Sequence, residues 1–108
     1  MSPAPTVRNV TIVNKKGLHA RASAKFAKMA CTYDAKIEVS REGVAADARS
    51  IMDLLMLTAH IGSEIRIEGN GNEAVTAVDA LVALVTSGFD ENDDEKQGPS
   101  VPRKRTDG

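Results

Sequence analysis

Gly17-Leu18-His19-Ala20-Arg21 sets an imidazole two residues ahead of a guanidinium, in a glycine-led turn where an apolar helical pattern begins. A neutral imidazole is a nucleophile near physiological pH because its unperturbed pKa is about 6.5. A helix start adds unpaired N–H groups and the positive end of a dipole, both of which draw anions. The combination suits a histidine that accepts, holds and hands on a phosphoryl group. The positioning element follows at once. Ala22, Phe26, Met29 and Ala30 recur at helical spacing, which predicts a helix over 20–31 with Arg21, Lys25 and Lys28 as a basic stripe on a neighbouring face.

A second constellation is Ser50-Ile51-Met52-Asp53, the pattern of a capping box in which Ser50 accepts from the first turn and Asp53 reaches back. It opens a short, very apolar helix through Ile51, Leu54 and Leu55, with Met52 and Met56. His60 lies in a connection with no companion ligand in view, so no metal site is expected. The single cysteine, Cys31, excludes an internal disulfide and a cysteine-based zinc cluster, and its place at the end of an apolar pattern predicts burial.

Net charge is −1, but the charges are sorted along the chain. Residues 1–36 carry Arg8, Lys15, Lys16, Arg21, Lys25, Lys28 and Lys36 against Asp34 alone, so His19 sits in positive surroundings that steer anions and acidic partners towards it. One Tyr, two Phe and no Trp leave little for stacking on bases, which argues against nucleic acid. No stretch is long and apolar enough to span a bilayer, and the N-terminus lacks the apolar core of a signal peptide. A cytoplasmic protein without membrane insertion is the expectation.

The remaining elements follow from periodicity. Thr6 to Val13 reads as a strand with Val10 and Ile12 on one face. Lys36 to Ser40 and Val44 to Asp47 pair through the Arg41-Glu42-Gly43 turn. Ser63 to Glu68 alternates Ile65 and Ile67 with charge. Ala74, Val75, Val78, Leu81, Val82 and Val85 predict a last helix, with Gly88 as its C-terminal cap. The order is β-α-β-β-α-β-α. Strands with one polar face imply an α+β open-faced sandwich, a four-stranded antiparallel sheet with three helices on one side. Residues 1–5 read as a flexible leader, 6–89 as the domain, and 90–108 as a disordered charged tail, acidic over 90–95 and basic over 103–105.

Gly17-Leu18-His19-Ala20-Arg21 with Ala24-Lys25-Phe26 resembles the active-centre motif of HPr, the histidine-containing phosphocarrier of the bacterial sugar phosphotransferase system. Arg49-Ser50-Ile51-Met52 is similar to the regulatory serine segment of that family, at the family's usual interval. The likeness covers about residues 6–88, and the family's element order is the one derived above. The resemblance implies that His19 takes a phosphoryl group on Nδ1 from phospho-enzyme I, charged by phosphoenolpyruvate, and passes it to IIA-type proteins. Arg21 would offset the phosphate charge. The chain would then be a phosphoryl-transfer intermediate rather than a free-standing enzyme, monomeric and without cofactor. Lys16, Leu18, Lys25, Met52 and Leu55 are candidate docking residues. The resemblance also implies an HPr kinase/phosphorylase acting on Ser50, while capping explains that serine without regulation.

The sequence departs from the family's pattern at Ala22, where proline is usual, and at Thr58-Ala59-His60-Ile61, where a glycine-containing link is usual. A different reading of the basic helix is a non-catalytic α+β protein- or RNA-binding module with His19 a bystander.

Overall fold

The computed structural model describes residues 4–91. Its elements are β1 (Thr6–Thr11), α1 (Ala20–Cys31), β2 (Lys36–Arg41), β3 (Val44–Asp47), α2 (Ile51–Met56), β4 (Glu64–Asn70) and α3 (Ala74–Thr86). The strands form one antiparallel sheet in the order β1-β4-β2-β3, with β4 paired to β1 on one side and to β2 on the other. The open-faced α+β sandwich expected from the alternation is the observed architecture. Ile37 and Val39 on β2 and Ile65 and Ile67 on β4 turn inward and are buried with Phe26 of α1, Leu54 of α2 and Val78, Leu81 and Val85 of α3.

The outer face is polar, as a one-sided sheet requires. Glu38 on β2 stands opposite Glu68 on β4, a like-charge cross-strand pair that is unfavourable by itself. Arg66, two residues along on the same face, lies 2.7 Å from Glu68 and offsets it.

Three local expectations change. β1 ends at Thr11 rather than Val13, because the ladder with β4 stops at Thr11–Glu64 and the Ile12 bonds go to Ser63 and Gly62 of the link before β4. Cys31 is exposed rather than buried: it is the last residue of α1, one turn beyond the buried Ala27, where the helix has run past the core. In the α2 cap, Ser50 Oγ accepts from the Asp53 N–H at 3.1 Å as predicted, but Asp53 Oδ2 takes the N–H of Asp47 at 3.3 Å. The Ser50 N–H is already bonded to the Asp47 carbonyl, so it is not offered to Asp53.

α3 ends in a Schellman turn. The Phe89 N–H bonds the Leu84 carbonyl and the Gly88 N–H bonds that of Val85, with Gly88 at φ +71°. Phe89 itself is fully buried. The leader residues 1–3 and the tail residues 92–108 lie outside the described residues, but Asp90 and Glu91, which the composition groups with the tail, are placed. Glu91 is 8% exposed.

Candidate functional site

The turn before α1 is built from its backbone outward. Gly17 has φ +65°, and a Cβ there would lie 2.4 Å from the Ala59 carbonyl oxygen, so only glycine fits without displacement. The close approach is used: the Leu18 N–H donates to that same carbonyl at 2.9 Å, bracing the turn against the α2–β4 link. Asn14 closes the other side. Its carbonyl accepts from the Gly17 N–H at 3.1 Å, and its side-chain Nδ2 donates to the Gly17 carbonyl at 2.9 Å.

His19 is the N-cap of α1, in extended conformation, and its side chain makes no capping bond. Its carbonyl takes the Ser23 N–H, and the buried Ser23 Oγ donates to the Leu18 carbonyl. The backbone at His19 is therefore fixed by neighbours while the ring is left for other partners. That ring is 26% exposed, and its Nε2 meets Oε2 of Glu91. The other carboxylate oxygen of Glu91 accepts from Asn14 Nδ2 at 3.0 Å. Burial works to raise the Glu91 carboxyl, but the hydrogen bonds from His19 and Asn14, with the charges of His19 and Lys16, outweigh it and hold it below the usual glutamate range. Lys25 Nζ donates to the Phe89 carbonyl at 2.7 Å, fixing the chain just ahead of Glu91 to α1.

Arg21 lies exposed on the first turn of α1, as the basic stripe predicts, and Lys16 is exposed in the preceding turn. Ala22, which departs from the proline usual at this position, is wholly buried against the core. Leu18, a candidate docking residue, is only 4% exposed and packs in the core, so it has little area to present to a partner. Leu55 is half-buried, whereas Met52 and Met56 stand 69% and 72% exposed on α2, with Ile51 beside them at 41%. Ser50 heads that helix. The link after α2 contains Thr58 at φ +47°, the left-handed region in which the usual glycine would be at ease.

His60 is exposed, with its N–H on Ser63 Oγ. Among the described residues no group of three His, Cys, Asp or Glu side chains could hold a metal ion, and no helix is long and apolar enough to cross a membrane.

Glu91 was missed by sequence reasoning. The signal that could have found it is Gly88-Phe89, a helix-capping glycine followed by a large apolar residue, which returns the chain to the core and so carries the next acids back with it.

The family model described as the PTS HPr component phosphorylation site matches residues 6–87. Among curated proteins, phosphocarrier protein HPr of Cupriavidus necator is 45% identical over 86 residues, 80% of this chain and 97% of the relative. Phosphocarrier protein NPr of Shewanella violacea is 46% identical over 84 residues, 78% of this chain and 92% of the relative. Among solved structures, HPr of Thermoanaerobacter tengcongensis superimposes with a TM-score of 0.76 at 32% identity, covering 79% of this chain and 96% of that one. HPr of Bacillus anthracis gives 0.74 at 35% identity, covering 77% and 99%.

Proposed function

The chain belongs to the HPr family of phosphotransferase-system phosphocarriers, and from that premise we propose that His19 is its phosphoryl acceptor, taking the group on Nδ1 from phospho-enzyme I and passing it to IIA-type proteins. The observation that carries the assignment is the placing of His19: it heads α1 as N-cap with its ring unused for capping. The first-turn N–H groups of a helix face whatever anion binds at its mouth, and the dipole favours negative charge there. Arg21, exposed on the first turn, adds a charge-assisted donor for the phosphate oxygens.

The partner supplies most of the catalytic positioning, which is why so small a domain suffices. Lys16, Arg21 and Lys28 give an exposed basic surround, and Met52 and Met56 an exposed apolar patch on the neighbouring helix. Charge of this kind speeds encounter with acidic partners, while apolar area holds them. Lys25 and Leu55 contribute at the margin. The carrier works as a cytoplasmic monomer and serves either sugar uptake or a regulatory branch; relatives of both the HPr and NPr names match it about equally.

Ser50 is a second, regulatory position in the same reading. A phosphate there would add about −1.5 to −2 charges beside α2 and repel acidic partner surfaces.

Incubation with enzyme I and phosphoenolpyruvate tests the proposal. An acid-labile, base-stable phosphate that vanishes in His19→Ala supports it; label retained by His19→Ala, or never acquired by the native chain, refutes it.

A further inference from the structure

The contact between His19 and Glu91 has a direct chemical reading. An ionised carboxylate has no proton to give, so in this hydrogen bond the proton must reside on Nε2 of His19. A neutral ring protonated at Nε2 carries its lone pair on Nδ1. We propose that Glu91 is a positioning residue for His19: it holds the ring by Nε2–H, leaves Nδ1 as the nucleophilic atom, and steadies the positive charge that the ring acquires when Nδ1 is phosphorylated. The inference rests on the phosphocarrier reading of His19.

Several features fix Glu91 in this position. Its side chain is 11% exposed and accepts from two donors, His19 on Oε2 and Asn14 on Oε1. Asn14 is 7% exposed and fixed by its second bond to Gly17, so its amide cannot turn without setting Oδ1 against the carboxylate. Asn14 Oδ1 is left buried without a partner among the described residues, a cost accepted in the orientation that serves Glu91. The chain reaches this point through the buried Phe89, and both Phe89 and Asp90 adopt left-handed conformations, at φ +57° and +62°. Two successive non-glycine residues in that region are strained, and they persist only where surrounding contacts impose them. The Lys25 bond to the Phe89 carbonyl and the Glu91 bonds are such contacts.

The transfer step balances. The Nδ1 lone pair of His19 forms the new N–P bond as the P–N bond of the phosphohistidine donor breaks and its electron pair returns to the donor ring. The proton on Nε2 stays in place, and His19 becomes a phosphoimidazolium whose charge faces Glu91. On onward transfer the N–P bond breaks and its electron pair returns to Nδ1. An oriented carboxylate on the far nitrogen of a reacting histidine plays the same part in the Ser-His-Asp triad.

The test compares the full chain with Glu91→Ala and Glu91→Asp. Ring nitrogen-15 spectra of unphosphorylated protein at about pH 8, above the ordinary imidazole range, report the proton's place. Native protein should show a slowly exchanging proton on Nε2 and a lone pair on Nδ1. Glu91→Ala should lose the slow exchange, and single-turnover uptake from phospho-enzyme I should fall on the order of tenfold, with Glu91→Asp partly restoring both. A proton on Nδ1 in the native protein, or unchanged uptake in Glu91→Ala, overturns the proposal. Faster uptake in Glu91→Ala also overturns it and makes Glu91 an obstruction. Failure of the native chain to take up phosphate removes the function of His19 instead, and the spectra still decide whether Glu91 sets its ring.

Discussion

Asn14 donates through Nδ2 to Oε1 of Glu91 at 3.0 Å, joining residues 77 positions apart at the two ends of the described fold. The same nitrogen closes the turn that carries His19. One amide thus ties the start of α1 to the chain returning from α3.

Replacing Asn14 tests that tie. Asn14→Ala removes the donor to Gly17 and to Glu91 but also the buried unpartnered Oδ1, so the net loss should be about 1–2 kcal/mol. Asn14→Asp should cost more at neutral pH, because it sets a second carboxylate against Glu91. Urea unfolding of the three proteins gives the order directly.

Acid should release the Glu91 contacts. The Glu91 carboxyl titrates below the glutamate range when folded, so its contribution to stability is fully present above the unfolded value of about 4.3 and is lost as pH falls through the lower folded value. The stability difference between the native chain and Glu91→Gln should therefore shrink as pH falls below about 5. Paired denaturant titrations below that pH measure it; a difference that keeps growing there would contradict the assignment.

Thr58 is a β-branched residue held at positive φ, with its hydroxyl bonded to the Leu57 carbonyl. Relief of that conformation should outweigh the flexibility that glycine adds to the unfolded chain. Thr58→Gly is expected to gain about 0.5–1 kcal/mol, whereas Thr58→Ala, still strained and without the hydroxyl, should gain nothing. Thermal melts distinguish the two.

Gly17→Ala should do the opposite. The added Cβ meets the Ala59 oxygen and the residue is forced into left-handed backbone, so a loss of roughly 2–3 kcal/mol is expected. Because the turn carries His19, phosphoryl uptake should fall with it, even at temperatures where the variant remains folded.

Ser50 separates capping from regulation. Ser50→Ala loses the bond to the Asp53 N–H and should cost about 1 kcal/mol. Ser50→Asp keeps a capping oxygen and should retain most of that stability, yet slow uptake from phospho-enzyme I by placing a negative charge near the proposed docking patch of Met52 and Met56. Equal uptake rates for Ser50→Asp and the native protein would leave Ser50 a cap alone.

Much of this molecule was legible without coordinates. The alternation of Ile37 and Val39, and of Ile65 and Ile67, defines a sheet with one apolar face, and the spacing of Ala22, Phe26 and Ala30 defines α1 to its observed ends. His19 at a helix mouth was equally plain. Other features depend on where the chain goes after an element stops. The acids after Phe89 look alike by composition, and nothing in Asp90-Glu91 itself announces two left-handed residues and a return to Asn14. Cys31 departs from its expected burial for a related reason: it stands at a helix boundary, where periodicity no longer fixes the direction of a side chain.

The sheet order carries a consequence for the making of the protein. β4 is the last strand in sequence, yet it lies between β1 and β2 and is the neighbour that β1 needs. A nascent chain halted before residue 64 holds the β2–β3 hairpin but gives β1 nothing to pair with. Contacts that close so late and over such a span are slow to form. His19 and Ser50 leave the ribosome well before the strand that settles the sheet beneath them, so the sheet under the histidine-bearing turn closes only when β4 arrives, and a pause in translation ahead of Glu64 would prolong the exposure of Val10, Ile37 and Val39.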